Sequence, residues 1–171
     1  MRAVETHIAY LSIGSNLGDK IFNCRRALEE LAADGTVRVQ ARSPLYRTEP
    51  VDYTAQDWFI NQVVRVETEL APSALLDRLQ EVQRRLGRTE PAVRFGPRLI
   101  DLDILLYDRL VLDGPRLSLP HPRMHRRRFV LKPLCDIDPE LVHPVLGRNI
   151  RMLLAELGAD RQEVVEYRCC D

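Results

Sequence analysis

An α+β fold with a ferredoxin-like βαββαβ core and a mostly antiparallel sheet is predicted by two observations on this chain. The first is the order of hydrophobic periods over residues 1–107: alternation, helical spacing, alternation twice more, helical spacing, and alternation again. The second is that both helical stretches are bracketed by caps and breakers, Asp19 with Asp34-Gly35, and Pro72-Ser73 with Gly87. Later residues predict an extra hairpin and C-terminal helices that extend and cover the sheet. At 171 residues the chain fits a single domain, 1–171, large enough to bury a core without disulfides or a structural metal.

In order along the chain, His7 to Ile13 alternates and is β-rich, ending at Gly14-Ser15-Asn16. Asp19 caps a predicted helix from Lys20 to about Ala33, with Ile21, Leu28, Leu31 and Ala32 near one face. Val37, Val39 and Ala41 alternate with Arg38, Gln40 and Arg42 in a second strand that continues toward Thr48. Residues 49–57 lack periodicity and read as a loop; Trp58 to Leu70 returns to β character. A helix opened by Pro72-Ser73 carries Leu75, Leu76, Leu79, Val82 and Leu86. Residues 88–97 form a second long loop before the strand Asp101 to Tyr107, whose hairpin partner is expected at Leu110 to Leu112. Arg127 to Leu134 reads as helical, Asn149 caps a short helix, and Val164 to Tyr167 suits an edge strand.

Composition excludes several classes. The 25 basic and 25 acidic residues cancel, so no global field attracts nucleic acid, although Arg123, Arg126, Arg127 and Arg128 form a local basic cluster suited to a small polyanion. No apolar run reaches spanning length, which points away from a membrane and toward the cytoplasm. Cys24, Cys135, Cys169 and Cys170 lack metal or disulfide-framework spacing; Cys24 reads as a core filler and the Cys169-Cys170 pair as a frayed terminus.

The stretch RFGPRLIDLDILLY, Arg94 to Tyr107, carries the chemistry. In an extended chain Leu102, Ile104 and Leu106 share one apolar face, and Asp101 and Asp103 project from the other, roughly 6.6 Å apart. Aspartate is depleted in strands, and paired carboxylates repel unless a cation lies between them. Hard divalent cations such as magnesium bind carboxylates while keeping waters and substrate phosphates as ligands. Arg94 and Arg98 flank a Gly96-Pro97 turn close enough to serve the same anion. A bare Asp-x-Asp is commonly a solvated loop pair; its place inside an apolar strand between arginines is what points to metal-assisted phosphate chemistry.

With IAYLSIGSNLGD (Ile8 to Asp19), SPLYRTEPV (Ser43 to Val51), FINQVV (Phe59 to Val64) and LPHPRMHRRRFVLKPL (Leu119 to Leu134), this element follows one pattern in order and spacing. Over residues 8 to about 145 the chain resembles the 6-hydroxymethyl-7,8-dihydropterin pyrophosphokinases of folate synthesis. The resemblance implies two magnesium ions and transfer of the ATP β,γ-pyrophosphoryl unit to the pterin hydroxymethyl group with release of AMP; the residues alone leave manganese open in place of magnesium. It implies Arg98, Asp101 and Asp103 as catalytic residues and the two aspartates as metal ligands. The ATP site carried over by motif comprises Gln80, Gln83, Arg94, Phe95, Arg98, Ile104, Arg116, Ser118, His121 and Arg127. The pterin site comprises Thr48, Glu49, Val51, Phe59, Asn61, Phe95 and Phe129. Phenyl rings suit a flat heterocycle by offset stacking, Asn61 offers donor and acceptor to its edge, and arginines give multi-donor phosphate contacts. The chain is expected to act as a monomer.

Four positions depart from the family pattern: Glu49 stands where some members have proline, Phe95 where tryptophan is common, Glu90 where a further arginine can occur, and Gln83 in place of an acidic residue. Loops 49–57 and 88–97 are expected to be mobile when empty and to close over both substrates. Two rivals share parts of this pattern. A palm- or cyclase-like two-metal enzyme on a similar core would attack the α-phosphorus and release pyrophosphate. A ferredoxin-like RNA-binding module would need an exposed aromatic, basic sheet face rather than two aspartates.

Overall fold

The computed structural model describes residues 5–158 and 162–168, so the Cys169-Cys170 pair lies outside the described residues. Mixed α/β architecture is built from β1 (His7–Ser15), α1 (Lys20–Ala32), β2 (Val37–Arg42), β3 (Tyr46–Thr48), β4 (Phe59–Thr68), α2 (Pro72–Arg85) and β5 (Asp101–Tyr107). There follow β6 (Leu112–Asp113), β7 (Ser118–Leu119), α3 (Arg128–Ile137), α4 (Ile150–Leu157) and β8 (Val164–Glu166). Both predicted N-caps form: Asp19 accepts from the Phe22 amide and Asn149 from the Met152 amide. Among the described residues no helix is long and apolar enough to cross a membrane.

Six strands make one antiparallel sheet in the order β5-β1-β4-β3-β8, with β2 paired to the far half of β4. Its two faces carry separate cores. On one, Ala9, Leu11 and Ile13 of β1 and Leu102 and Ile104 of β5 pack against Cys24, Leu28 and Leu31 of α1 and Leu75, Leu79 and Val82 of α2. On the other, Tyr10, Val63, Leu105 and Leu106 meet Val130, Leu131 and Leu134 of α3 and Ile150 and Leu153 of α4. Strand alternation therefore sorts the sequence into three layers, and Cys24 is a core filler as expected.

Three local expectations are corrected. The second strand is two strands, because Ser43 to Leu45 interrupt it at Pro44, which has no amide to donate. Both pieces pair with β4. Leu106 does not share a face with Leu102 and Ile104: the β1–β5 register shifts so that Leu105 is an extra residue, and Leu105 and Leu106 both join the second core. Leu110 to Leu112 does not pair with β5 either. Asp108 turns with φ 47°, Leu110 to Leu112 stay exposed, and β6 pairs with β7 in a small hairpin of its own.

Candidate active site

Helices α3 and α4 cover only one end of their sheet face; at the other end the polar positions of the strands are open. In register across the sheet, Asp101 lies beside Gly14 and Gly14 beside Asn61, while Asp103 lies beside Ser12. Small residues on the middle strand thus leave space between the carboxylates and the amide. Gly14 is needed there, since a Cβ on it would stand 2.5 Å from Asn61 Oδ1. Asn61 Nδ2 donates to Thr48 Oγ1 at 2.6 Å, which fixes the orientation of the amide. Walls come from loop 49–57, from Phe95 and Arg98, and from Arg127 and Phe129 at the start of α3, and they bound a cleft open to solvent.

Charge in the cleft is unevenly matched. Asp101 Oδ2 pairs with Arg98 Nη1 at 2.6 Å and Asp101 Oδ1 with Arg88 Nη1 at 3.0 Å. The Asp103 carboxylate accepts no hydrogen bond among the described residues. Burial, and then the Asp101 carboxylate, push the Asp103 carboxyl up to about 7, against the pull of Arg127, Arg98 and Arg88. Arg98 Nε is buried with no partner among the described residues. Arg127 lies over the Phe129 ring at 5.5 Å, and burial followed by Arg123 lowers its guanidinium from the usual range. His121 accepts from the Arg123 amide on Nδ1 at 3.1 Å, which assigns the ring proton to Nε2. Burial, then Arg127 and Arg123, push the His121 imidazole down to about 4, so it is neutral near pH 7.

Asn16, at the end of β1, joins the two long loops. Its Oδ1 accepts from the Arg98 amide at 2.7 Å and its own amide donates to the Arg98 carbonyl at 3.1 Å. Its Nδ2 donates to Gln56 Oε1 at 2.8 Å and to the Asp57 carbonyl at 3.1 Å. Gln56 Nε2 in turn donates to the Tyr53 carbonyl at 2.6 Å and the Phe95 carbonyl at 2.8 Å. Phe95 holds φ 59°, flanked by Arg94 and Arg123 at 4.9 and 5.0 Å from its ring.

All seven residues expected at the pterin line this one cleft, and so do Phe95, Arg98 and Arg127 of the ATP set. The remaining ATP set does not line it. Gln80 is exposed on α2, Arg116 pairs with Asp77 at 2.6 Å, and Ser118 Oγ lies 3.4 Å from Asp113. The Ile104 side chain is enclosed in the core, which leaves only its backbone for a ligand. Gln83 is buried, and its Oε1 accepts from the Leu102 amide at 2.9 Å and from Arg88, acting as a strut beneath Asp101. The sequence reading missed Ser12, Gly14, Asn16, Arg88, Asp52, Gln56 and Gln162. Gly14-Ser15-Asn16 stood out only as a turn, and nothing in the aperiodic 49–57 segment distinguished Gln56 from its neighbours.

A family model described as 7,8-dihydro-6-hydroxymethylpterin-pyrophosphokinase (HPPK) matches residues 10–139. The chain belongs to the HPPK family. The 2-amino-4-hydroxy-6-hydroxymethyldihydropteridine pyrophosphokinase of Methylorubrum extorquens is 45% identical over 158 residues, covering 92% of this chain and 98% of that protein. The Bacillus subtilis protein of the same name is 44% identical, covering 77% and 78%. Folic acid synthesis protein fol1 of Schizosaccharomyces pombe is 41% identical across 91% of this chain, which spans only 21% of that longer protein. Among solved structures, a Plasmodium falciparum HPPK-DHPS triple mutant with pteroate superposes with a TM-score of 0.69 at 18% identity. That match covers 89% of this chain and 43% of the other and speaks for the fold alone. The HPPK match takes in β1 from Tyr10 onward, the strands through β5, and α3 at the wall of the cleft.

Proposed function

We propose that the cleft holds 6-hydroxymethyl-7,8-dihydropterin against Asn61, Phe59 and Phe129, with the ATP polyphosphate crossing Asp101, Asp103, Arg98 and Arg127. The chain transfers the pyrophosphoryl group of ATP to the pterin hydroxymethyl oxygen, a step of folate synthesis. The observation that carries the site assignment is the register that sets Asp101 and Asp103 on the same open sheet face as Asn61.

The donor set suits a hard divalent cation. The Asp103 carboxylate accepts no hydrogen bond among the described residues, and burial and the neighbouring Asp101 carboxylate push it up, so a cation between the two would relieve both. Among the described residues no cluster of three or more His, Cys, Asp or Glu exists, so substrate phosphates and water would complete the ligand set. On this reading Asp101 and Asp103 hold two magnesium ions. Such ions supply Lewis-acid polarisation and neutralise charge on the attacking and leaving oxygens. The protein's own part is positional. Phe59 and Phe129 orient the pterin plane, and Asn61 reads its edge. Arg98, with a free buried Nε, and Arg127 donate to the phosphates, while His121 offers a neutral Nε2–H. Loops 49–57 and 88–97 exclude water that would compete for the phosphoryl group.

The core reads as ferredoxin-like, because β1, α1, β2, β4, α2 and β5 run in chain order while the strands lie as β5-β1-β4-β2. Free Cys24 and Cys135 and a need for ATP favour the cytoplasm. The test is to supply ATP, magnesium and 6-hydroxymethyl-7,8-dihydropterin and to measure AMP. Pterin-dependent AMP is the expected result; release of pyrophosphate instead would turn the assignment toward α-phosphorus attack.

A further inference from the structure

We infer that Gln162 is a positioning residue of the pterin site, fixing the gap between the Phe129 ring and the Glu49 wall. The inference rests on the site reading above and deepens it, since it assigns a role to a residue that no motif marks. Gln162 comes just ahead of β8, is buried at 5% exposure and lines the cleft. Its Nε2 donates to the Glu49 carbonyl at 2.5 Å, and its Oε1 accepts from the Phe129 amide at 3.2 Å. One side chain therefore holds two walls of the cleft that come from segments far apart in sequence. Turning its amide over would set N–H against N–H at Phe129 and oxygen against oxygen at Glu49, so the orientation is fixed.

Each contact fills a need that the local sequence leaves open. Arg127, the N-cap of α3, provides no side-chain cap, and the Phe129 amide lies in the first turn, where helical amides have no partner of their own. Gln162 Oε1 is the missing cap, brought from far along the chain. Glu49 is held for a different reason. β3 stops at Thr48, and Pro50 has no amide to donate. Residues 162–164 continue the pairing instead. Thr48 stands in register with Val164, the Glu49 amide donates to the Glu163 carbonyl at 3.0 Å, and Glu49 Oε2 accepts from the Glu163 amide at 3.2 Å. A proline at 49 could make neither of the last two bonds, so the Glu49 departure belongs with this clasp. A heterocycle stacked on Phe129 while its edge meets the backbone at Glu49 needs both walls at once, so a shift of either weakens its binding.

The test compares the full chain with Gln162→Glu and Gln162→Met. Gln162→Glu keeps an acceptor for the Phe129 amide and loses the donor to Glu49; Gln162→Met keeps the length and loses both. Steady-state kinetics vary each substrate at saturating levels of the other, and thermal melting reads the fold. Pterin KM should rise about tenfold in both variants, the factor set by one unmade buried hydrogen bond, while ATP KM in Gln162→Glu changes less than about threefold. Affinity of 6-hydroxymethylpterin for enzyme saturated with α,β-methylene ATP and magnesium should fall by the same factor as KM rises. Gln162→Glu should melt closer to the wild type than Gln162→Met does, because its carboxylate still caps α3 and suits a helix N-terminus. Pterin KM within about twofold of wild type in either variant would overturn the inference. So would pterin and ATP KM rising in step in Gln162→Glu, or a Gln162→Glu melting point no higher than that of Gln162→Met. A wild type that neither binds the pterin nor forms AMP from it would overturn the site reading itself, which is a separate outcome.

Discussion

At Gly14 a missing side chain sets the width of the cleft. A methyl there meets Asn61 Oδ1 at 2.5 Å, and Asn61 cannot yield without losing its bond to Thr48. Gly14→Ala should therefore raise pterin KM about tenfold and cost roughly 1–3 kcal/mol of stability, as overpacking does; urea unfolding and steady-state kinetics check the two parts. Asp103 gives the opposite pattern. Its folded carboxyl is raised to about 7, above the unfolded value of about 3.9, so ionisation opposes folding and stability is lost as pH rises through about 7. Asp103→Asn should cut turnover about a thousandfold or more, because Lewis-acid stabilisation is worth several kcal/mol. Without metal, at pH 8, its melting temperature should equal or exceed that of the wild type. A melting point well below wild type there would mean that the carboxylate supports the fold.

Elements were legible in sequence wherever one hydrophobic period ran unbroken. Both N-caps, the two long helices and strands β1, β4 and β5 follow from alternation or helical spacing closed by Asp, Pro or Gly. What was lost lay in pairing. No local pattern tells that Leu105 is an extra residue against β1, because every residue from Leu102 to Leu106 except Asp103 is apolar. The partner of β5 was misread for a related reason: Leu110 to Leu112 look like strand residues but stand exposed beyond the Asp108 turn. The candidate site was legible where chemistry shows in residue type, as in Asp101, Asp103 and the arginines. Amides such as Asn16 and Gln56 act through distant carbonyls that only folding reveals. The two loops outside regular elements carry little buried apolar surface, so closure on ligand binding is the expected behaviour. Hydrogen exchange over residues 49–57 and 88–97 should slow at least tenfold with pterin and α,β-methylene ATP together; equal exchange with and without them counts against closure.

For the whole molecule, three imidazoles tie stability to acidity. His121, His125 and His143 are each lowered, first by burial, with neighbouring arginines and, for His143, His125 before Arg148 adding to it. Each folded value lies below the unfolded value of about 6.5, so the folded state binds fewer protons. Their contribution is full above pH 6.5 and is lost as pH falls toward about 4, where His121 titrates. Denaturant midpoints should fall between pH 6.5 and 5, and His121→Gln should flatten that slope. The opposing Asp103 trend runs over the same interval, so the histidine slope is best read in an Asp103→Asn background. Two cores on opposite faces of one sheet hold the cleft open at the end that α3 leaves bare.

The last strand, β8, hydrogen-bonds along β3, and Gln162 just before it donates to the Glu49 carbonyl at 2.5 Å and accepts from the Phe129 amide at 3.2 Å. Strand β8 thus buttresses the wall of the cleft that carries Glu49 and Phe129. On the proposed site reading, pulling on Val164–Glu166 by a fusion or clip is expected to alter substrate grip before it lowers the melting temperature.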